Sequence, residues 1–156
     1  MTANELCAFF IRRAPQIINA ISSGAGWEIW AQVDFMIALR EQFPGSSGSR
    51  EVPYPWSAKK LDMIIGLNDQ RYAIEMKVES ATKSAPFAYR LLKDATKIET
   101  YFLQGDPQPL TKWVVGIGYS PAAKRNMVAY EQKDPANVVY QESGQDGIGV
   151  IVITVV

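Results

Sequence analysis

Two short apolar runs joined by an Asn-Asp pair constrain the fold of this chain more than any other feature. Residues 61–67 read LDMIIGL and residues 72–78 read YAIEMKV, and both are rich in residues that strands favour. The NDQ segment between them has the composition of a tight turn. The pattern therefore predicts an antiparallel β-hairpin whose turn is centred on Asn68 and Asp69.

Three charged side chains interrupt this apolar hairpin on one of its faces. In the predicted register Asp62 lies opposite Glu75, and directly opposed residues point to the same face with Cβ atoms about 5 Å apart. Lys77 is two residues beyond Glu75 and therefore shares that face. A Glu-x-Lys pair alone is most often a solvated ion pair, whereas the opposing Asp62 and its apolar neighbours favour a functional site.

Two carboxylates held together in a partly apolar setting repel each other, so one keeps a proton unless a cation intervenes. A hard divalent ion such as Mg²⁺ takes oxygen ligands and retains several waters, which suits this pair. Lys77 cannot be a ligand while charged, but it is placed to orient or deprotonate a metal-bound water, or to offset transition-state charge. This combination suits the hydrolysis of a phosphodiester.

The N-terminal part of the chain predicts helices. Thr2 and Glu5 have the spacing of a capping box, and Pro15 breaks or restarts the helix that they begin. A clear helix is predicted over residues 27–42, followed by a loop over residues 44–49. The apolar stripe of that helix is formed by Ile29, Val33, Met36, Ile37 and Leu39.

Strands alternate with two further helices in the remainder. The helices are predicted over residues 86–103 and from Ser120 onward, where Ser-Pro is typical of a helix start. The last strand is almost entirely β-branched and is therefore expected to be buried on both faces. The 156 residues predict a single α/β or α+β domain, with a helical segment over 1–24 and a core over 26–156. The strands are predicted over residues 51–54, 61–67, 72–78, 112–119, 138–140 and 148–156.

Composition excludes several classes of chemistry. The chain has no histidine and one cysteine, Cys7, which excludes Ser-His-Asp and Cys-His catalysis, histidine-bound zinc and an internal disulfide. Sixteen basic and sixteen acidic residues balance, so a nucleic-acid partner must be met by a local basic face. The absence of a signal peptide and of a long apolar run predicts a cytoplasmic protein without a membrane partner.

The charged hairpin resembles the motif of the PD-(D/E)XK nuclease superfamily, which has the restriction-endonuclease-like fold. That motif has an Asp on one strand and (D/E)-x-K on the next, here Asp62 in KKLDMIIG and EMK at residues 75–77. Many members also carry a Glu on the preceding helix, the place of Glu28 in GWEIWAQ. Leu61 stands where the motif nominally has Pro. The resemblance covers roughly residues 26–119 and implies a central mixed β-sheet flanked by helices.

The resemblance also implies a role for each site residue. Asp62 and Glu75 would bind Mg²⁺ together with the main-chain carbonyl of Met76, with Mn²⁺ as a substitute ion. Lys77 would assist the attacking water. Glu28 would hold a metal-bound water or a second ion.

Local basic side chains supply the expected contacts to phosphates. On the helix predicted after the hairpin, Arg90, Lys93 and Lys97 recur at intervals of three and four and share a face that points away from the apolar stripe. A solvated helix face explains this spacing as well as phosphate contact does. The full set of expected nucleic-acid contacts is Lys59, Lys60, Lys83, Arg90, Lys93 and Lys97.

Aromatic residues near these charges have two interpretations. Trp27 and Trp30 flank Glu28 and are expected to pack their helix against the sheet. Tyr54 and Trp56, near the open end of the hairpin, are expected in the core or at its rim. Stacking on an unpaired base is the alternative for this second pair.

Two hypotheses about function follow from these patterns. The first is a small Mg²⁺-dependent endonuclease that hydrolyses DNA, as a stand-alone module or a toxin, phage or mobile-element nuclease domain, with RNA left open. A duplex substrate would need two active sites and thus a homodimer. The second is a catalytically inactive protein on the same fold, acting in interaction, immunity or assembly. Zero net charge and the Trp-bearing helix favour the second.

Overall fold

The computed structural model describes residues 1–24, 26–55, 57–80, 86–103, 105, 108–144 and 147–156. Helices and strands alternate in the second half of the chain, as the sequence predicts. The described helices are α1 (Ala3–Arg12), α2 (Ala14–Ser22), α3 (Trp27–Gln42), α4 (Phe87–Glu99) and α5 (Pro121–Lys133). The described strands are β1 (Ser47–Pro53), β2 (Lys60–Leu67), β3 (Gln70–Val78), β4 (Leu110–Gly118), β5 (Val138–Glu142) and β6 (Gly149–Val155).

The six strands form one mixed sheet in the order β1-β2-β3-β4-β6-β5. β3 and β4 run parallel, and α4 supplies the crossover connection that a parallel pair requires. The other neighbouring strands are antiparallel. β6 lies between β4 and β5, so its β-branched residues are mostly buried, as its sequence predicts.

Helices cover both faces of the sheet. α1, α2 and α3 enclose one core, in which Phe10 and Phe35 pack beside Ile74 and Val152. α4 and α5 enclose the second core on the opposite face. The α/β class and the mixed sheet flanked by helices are therefore confirmed. Among the described residues, no helix combines the length and apolar character needed to cross a membrane.

The central hairpin has the predicted register. Leu67 pairs with Gln70 at the turn, and the antiparallel ladder continues from there. Asn68 and Asp69 have φ values of 48° and 59°, the left-handed conformation that both central residues of a two-residue type I′ turn adopt. Local turn chemistry thus determines which hairpin residues oppose each other.

Close packing of α4 on the sheet depends on a glycine in β4. A Cβ atom on Gly116 would lie 2.8 Å from the Leu91 side chain of α4 and 2.7 Å from Ile151 of β6. Those distances are shorter than real Cβ contacts allow. The glycine therefore lets α4 approach β4, and this approach brings the α4 side chains over β3.

The predicted apolar stripe of α3 is wrong at three positions. Ile29, Val33 and Ile37 are 58%, 38% and 52% exposed. Phe35 turns inward instead and makes an edge-to-face contact with Phe9 of α1, because the aromatic cluster of α1 determines how α3 rotates. The buried residues of α3 are Trp27, Ala31, Gln32, Phe35, Met36 and Leu39.

Two other element boundaries differ from the prediction by more than two residues. The loop predicted over residues 44–49 ends early, because β1 already begins at Ser47 and pairs with Gly66. The small polar residues there are compatible with an edge strand, since pairing uses the backbone alone. α4 ends at Glu99 rather than at residue 103, which leaves Phe102 outside the helix and 46% exposed.

Candidate active site

The hairpin strands separate where the charged residues begin. The paired register ends with Met63 opposite Ile74, one step before Asp62 and Glu75. Beyond that point the backbone N–H of Met76 donates to Oδ2 of Asp62 at 2.8 Å. A carboxylate thus takes the place of a ladder hydrogen bond between β2 and β3.

A second carboxylate follows along the same edge of β3. The backbone N–H of Val78 donates to Oε2 of Glu28 at 3.2 Å. N–H groups two residues apart on a strand point the same way, so Met76 and Val78 present both donors to the gap beside β2. Glu28 lies in the first turn of α3, where the helix dipole favours a negative charge.

Glu75 is buried beneath the gap, with 1% of its surface exposed. The hydroxyl of Tyr54 donates to Oε1 at 2.8 Å. The ammonium of Lys97, on α4, lies 2.8 Å from Oε1 and 2.9 Å from Oε2. That ammonium also donates to the carbonyl oxygen of Lys60 at 2.8 Å. The carboxylate therefore has two donors even though it is remote from water.

Burial has a direct electrostatic consequence for Glu75. It raises the pKa of Glu75 to about 7, and the nearby charge of Asp62 adds to the increase. The hydrogen bonds from Lys97 and Tyr54 act in the opposite direction but do not cancel it. Glu75 can therefore exchange a proton near neutral pH, a property common among groups that work in catalysis.

Lys77 lies between two carboxylates from different helices. Its ammonium is 3.4 Å from Oδ2 of Asp94 on α4 and 3.6 Å from Oε1 of Glu28 on α3. Burial alone would lower the pKa of Lys77, but these carboxylates outweigh burial and raise it. The side chain therefore stays protonated at neutral pH. This favours orienting a nucleophile or offsetting negative charge over removing a proton.

Asp94 is a member of this cluster that the sequence reasoning missed. Asp94 is 9% exposed and faces Lys77. Its Oδ2 forms the ion pair with Lys77 and makes no other contact with a donor among the described residues. A signal was available, because Asp94 continues the buried series Phe87 and Leu91 at helical spacing. A carboxylate in the middle of an apolar stripe indicates a buried charge that needs a partner.

Tyr54 is a core residue, which confirms the first of the two interpretations of its ring, packing in the core or at its rim. It is 4% exposed, and its ring packs edge-to-face on Tyr101 with centroids 5.0 Å apart. Its hydroxyl reaches Glu75, a contact that was not predicted because 21 residues separate the two. The ring is therefore not available for stacking on a base. Trp56 lies outside the described residues.

The basic residues predicted to contact nucleic acid divide into two groups. Lys97 points inward to Glu75, and Arg90 donates to the carbonyl oxygen of Val78 at 3.0 Å, so the expectation that both point outward is wrong. Both side chains reach β3 instead, Arg90 at the Val78 carbonyl and Lys97 at the Glu75 carboxylate. The exposed group consists of Lys59, Lys60 and Lys93, and Lys83 lies outside the described residues.

The carboxylates form a donor set of hard oxygen atoms. Glu28, Asp62, Glu75 and Asp94 are linked through contacts with Lys77, Lys97 and the β3 backbone. Within the described ranges, no three such side chains are grouped closely enough to hold a metal ion as they stand. The ammonium groups of Lys77 and Lys97 neutralise these carboxylates instead. Neither a protein-family model, nor a curated protein, nor a solved structure matches this chain.

Proposed function

We propose that this protein is a Mg²⁺-dependent endonuclease of the PD-(D/E)XK type, with a restriction-endonuclease-like core, that hydrolyses phosphodiester bonds in DNA. The separation of β2 from β3 carries the proposal. It gathers Asp62, Glu75 and Lys77, the residues of the motif, with Glu28 at one open end of the sheet. This combination of oxygen ligands and a fixed cation suits the hydrolysis of a phosphodiester.

The donor set fits a hard divalent ion by its chemistry. Asp62 and Glu75 would hold Mg²⁺, with the main-chain carbonyl of Met76, and Mn²⁺ would substitute. Bound Mg²⁺ supplies a Lewis acid that polarises the phosphoryl group. Lys97 would have to leave Glu75 for the ion to bind, because it contacts both carboxylate oxygens.

Side chains of the protein would supply the other functions that hydrolysis requires. Lys77, kept protonated by Glu28 and Asp94, would orient the attacking water and offset charge on the phosphoryl oxygens. Glu28 would hold a metal-bound water or a second ion. A duplex substrate would need two such sites and hence a homodimer, and a cytoplasmic location is part of the proposal.

Plasmid cleavage tests the proposed activity. We expect cleavage with Mg²⁺ and none with EDTA, and we expect Glu75→Gln and Lys77→Met each to lower the rate at least about a hundredfold. Matched controls are Glu41→Gln and Lys133→Met, which remove the same charges from exposed positions. Equal cleavage by the site variants and the wild type would refute the assignment.

One observation favours the alternative, a catalytically inactive protein on the same fold. Glu75 already has a complete set of partners, Lys97 and Tyr54, so the buried carboxylate can be a purely structural ion pair. Calorimetric titration with Mn²⁺ separates the two functions. Heat of binding that Asp62→Asn abolishes supports the nuclease, whereas an interaction, immunity or assembly protein should show no site-dependent binding.

A further inference from the structure

A groove on the outer side of α4 leads to the carboxylate cluster. Its volume is about 570 Å³. Asp94 and Lys97, both members of the cluster, form part of its lining, together with Tyr89, Lys93 and Lys59 from the β1–β2 connection. The groove therefore connects solvent with the residues to which the chemistry is assigned.

The rim of this groove carries uncompensated positive charge. Lys59 and Lys93 are exposed, and within the described part of the chain neither ammonium has an ion-pair partner. The other charged lining residues, Asp94 and Lys97, are engaged with Lys77 and Glu75. The free charge at the rim is thus positive, which suits an anionic ligand such as a phosphodiester backbone.

An exposed aromatic ring lies beside these lysines. Tyr89 is 60% exposed and Leu92 is 47% exposed, and both line the groove. Tyr89 and Lys93 are four residues apart on α4 and are therefore neighbours on its surface. An aromatic face next to cations is the arrangement that proteins use to stack an unpaired base while holding its phosphate.

We propose that this groove binds single-stranded nucleic acid, with an unpaired base stacked on Tyr89 and the adjacent phosphates held by Lys59 and Lys93. The inference deepens the proposed function by naming its substrate class, and rests on it for the role of the cluster. A cavity of this size takes a ligand of roughly nucleotide dimensions. A paired base would not expose its face to the ring.

Fluorescence anisotropy in EDTA tests the groove without any cleavage. The probe is a labelled single-stranded oligonucleotide of mixed sequence, compared with the duplex formed with its complement and with the corresponding single-stranded RNA. We expect the single strand to bind more tightly than the duplex. We expect Tyr89→Ala to weaken that binding roughly tenfold or more, and Tyr89→Phe to retain it. Lys59→Gln and Lys93→Gln should each reduce the salt dependence of binding.

Phe102→Ala is the matched control, because Phe102 is an exposed aromatic residue outside the groove lining. The affinity of Phe102→Ala for the single-stranded oligonucleotide should equal that of the wild type. Unchanged binding in Tyr89→Ala, or a duplex bound as tightly as the single strand, would overturn the proposal. Tighter binding of either DNA or RNA supports the groove and identifies the sugar that it prefers.

Failure of the groove and failure of the proposed function have different signatures. Glu75→Gln should abolish cleavage and leave single-strand binding intact. Tyr89-dependent binding, with no cleavage by the wild type in Mg²⁺ of either the plasmid or the single-stranded oligonucleotide, would retain the groove and reject the nuclease. Cleavage that depends on Glu75 but not on Tyr89, with binding also independent of Tyr89, would retain the nuclease and reject the groove.

Discussion

The burial of Glu75 is the residue-scale feature with the largest energetic consequence. A carboxylate with 1% exposure has lost its hydration, and contacts with Lys97 and Tyr54 offset that loss. Removing one partner of a buried ion pair leaves the other charge uncompensated. Both the pH dependence of stability and the cost of substituting Lys97 follow from this arrangement.

Glu75 should make the protein less stable as pH rises through the acidic range. Its pKa is raised from 4.5 to about 7, so between those pH values the folded chain holds a proton that the unfolded chain has lost. The free energy of unfolding should therefore fall by on the order of 3 kcal/mol between about pH 5 and about pH 8, relative to Glu75→Gln. Urea denaturation of both proteins at both pH values measures this change. A wild type that gains stability relative to Glu75→Gln as pH rises would contradict the prediction.

Lys97→Met should destabilise the protein far more than Lys93→Met. The first leaves Glu75 buried beside Tyr54 without its cation, a change that costs about 3–5 kcal/mol for buried pairs. The second removes an exposed ammonium four residues away on the same helix. Chemical denaturation at about pH 9, where Glu75 of the wild type is ionised, compares the two variants. Equal losses of stability would show that the buried pair contributes no more than the exposed ammonium.

At the scale of elements, two helices approach the gap in the sheet from opposite faces. α3 contributes Glu28 to the β3 edge, and α4 contributes Asp94 and Lys97 from the other side. Lys77 bridges the two helices through its contacts with Glu28 and Asp94. The geometry of the site therefore depends on how both helices are rotated, and α3 offers a direct test of that rotation.

Substitutions on the exposed face of α3 should change stability little, whereas a substitution on its buried face should cost much more. Ile29→Glu and Ile37→Glu alter side chains that are 58% and 52% exposed, so stability should change by less than about 0.5 kcal/mol. Phe35→Ala removes a ring that is 1% exposed and should cost about 3–5 kcal/mol. Thermal unfolding followed by circular dichroism measures all three. A large loss in Ile37→Glu with a small one in Phe35→Ala would reverse the assigned orientation.

At the scale of the whole molecule, the sheet is completed by its last strand. β6 pairs with β4 on one side and β5 on the other, and α1 packs against it from the beginning of the chain. The first helix and the last strand thus belong to the same core. Non-local pairing of this kind makes the two ends of the described structure interdependent.

Deletion of residues 148–156 should abolish cooperative folding. The deletion removes an interior strand that supplies Ile151 and Val152 to the two cores. It leaves β4 paired only with β3, and β5 loses the strand with which it pairs. Deletion of Val156 alone is the control, since that residue is 95% exposed. A cooperative urea transition that survives the longer deletion would show that β6 is dispensable.

The sequence by itself determined the features that depend on local chemistry. The Asn68–Asp69 turn and the alternating apolar pattern were sufficient for the hairpin register, and the capping box begins the first helix as predicted. The burial of most of the last strand follows from its β-branched residues. Turn geometry and side-chain periodicity act over a few residues, so they can be read without knowledge of the fold.

Only the tertiary structure decided which helical faces turn inward. Asp94 and Lys97 point toward β3 because α4 lies close on β4, and Phe35 rather than Ile37 is buried, in contact with Phe9 of α1. The contacts that surround Glu75 come from residues more than 20 positions away on either side. Periodicity indicates that a helix has an apolar face, but the packing of one element against another selects the partners of a buried charge.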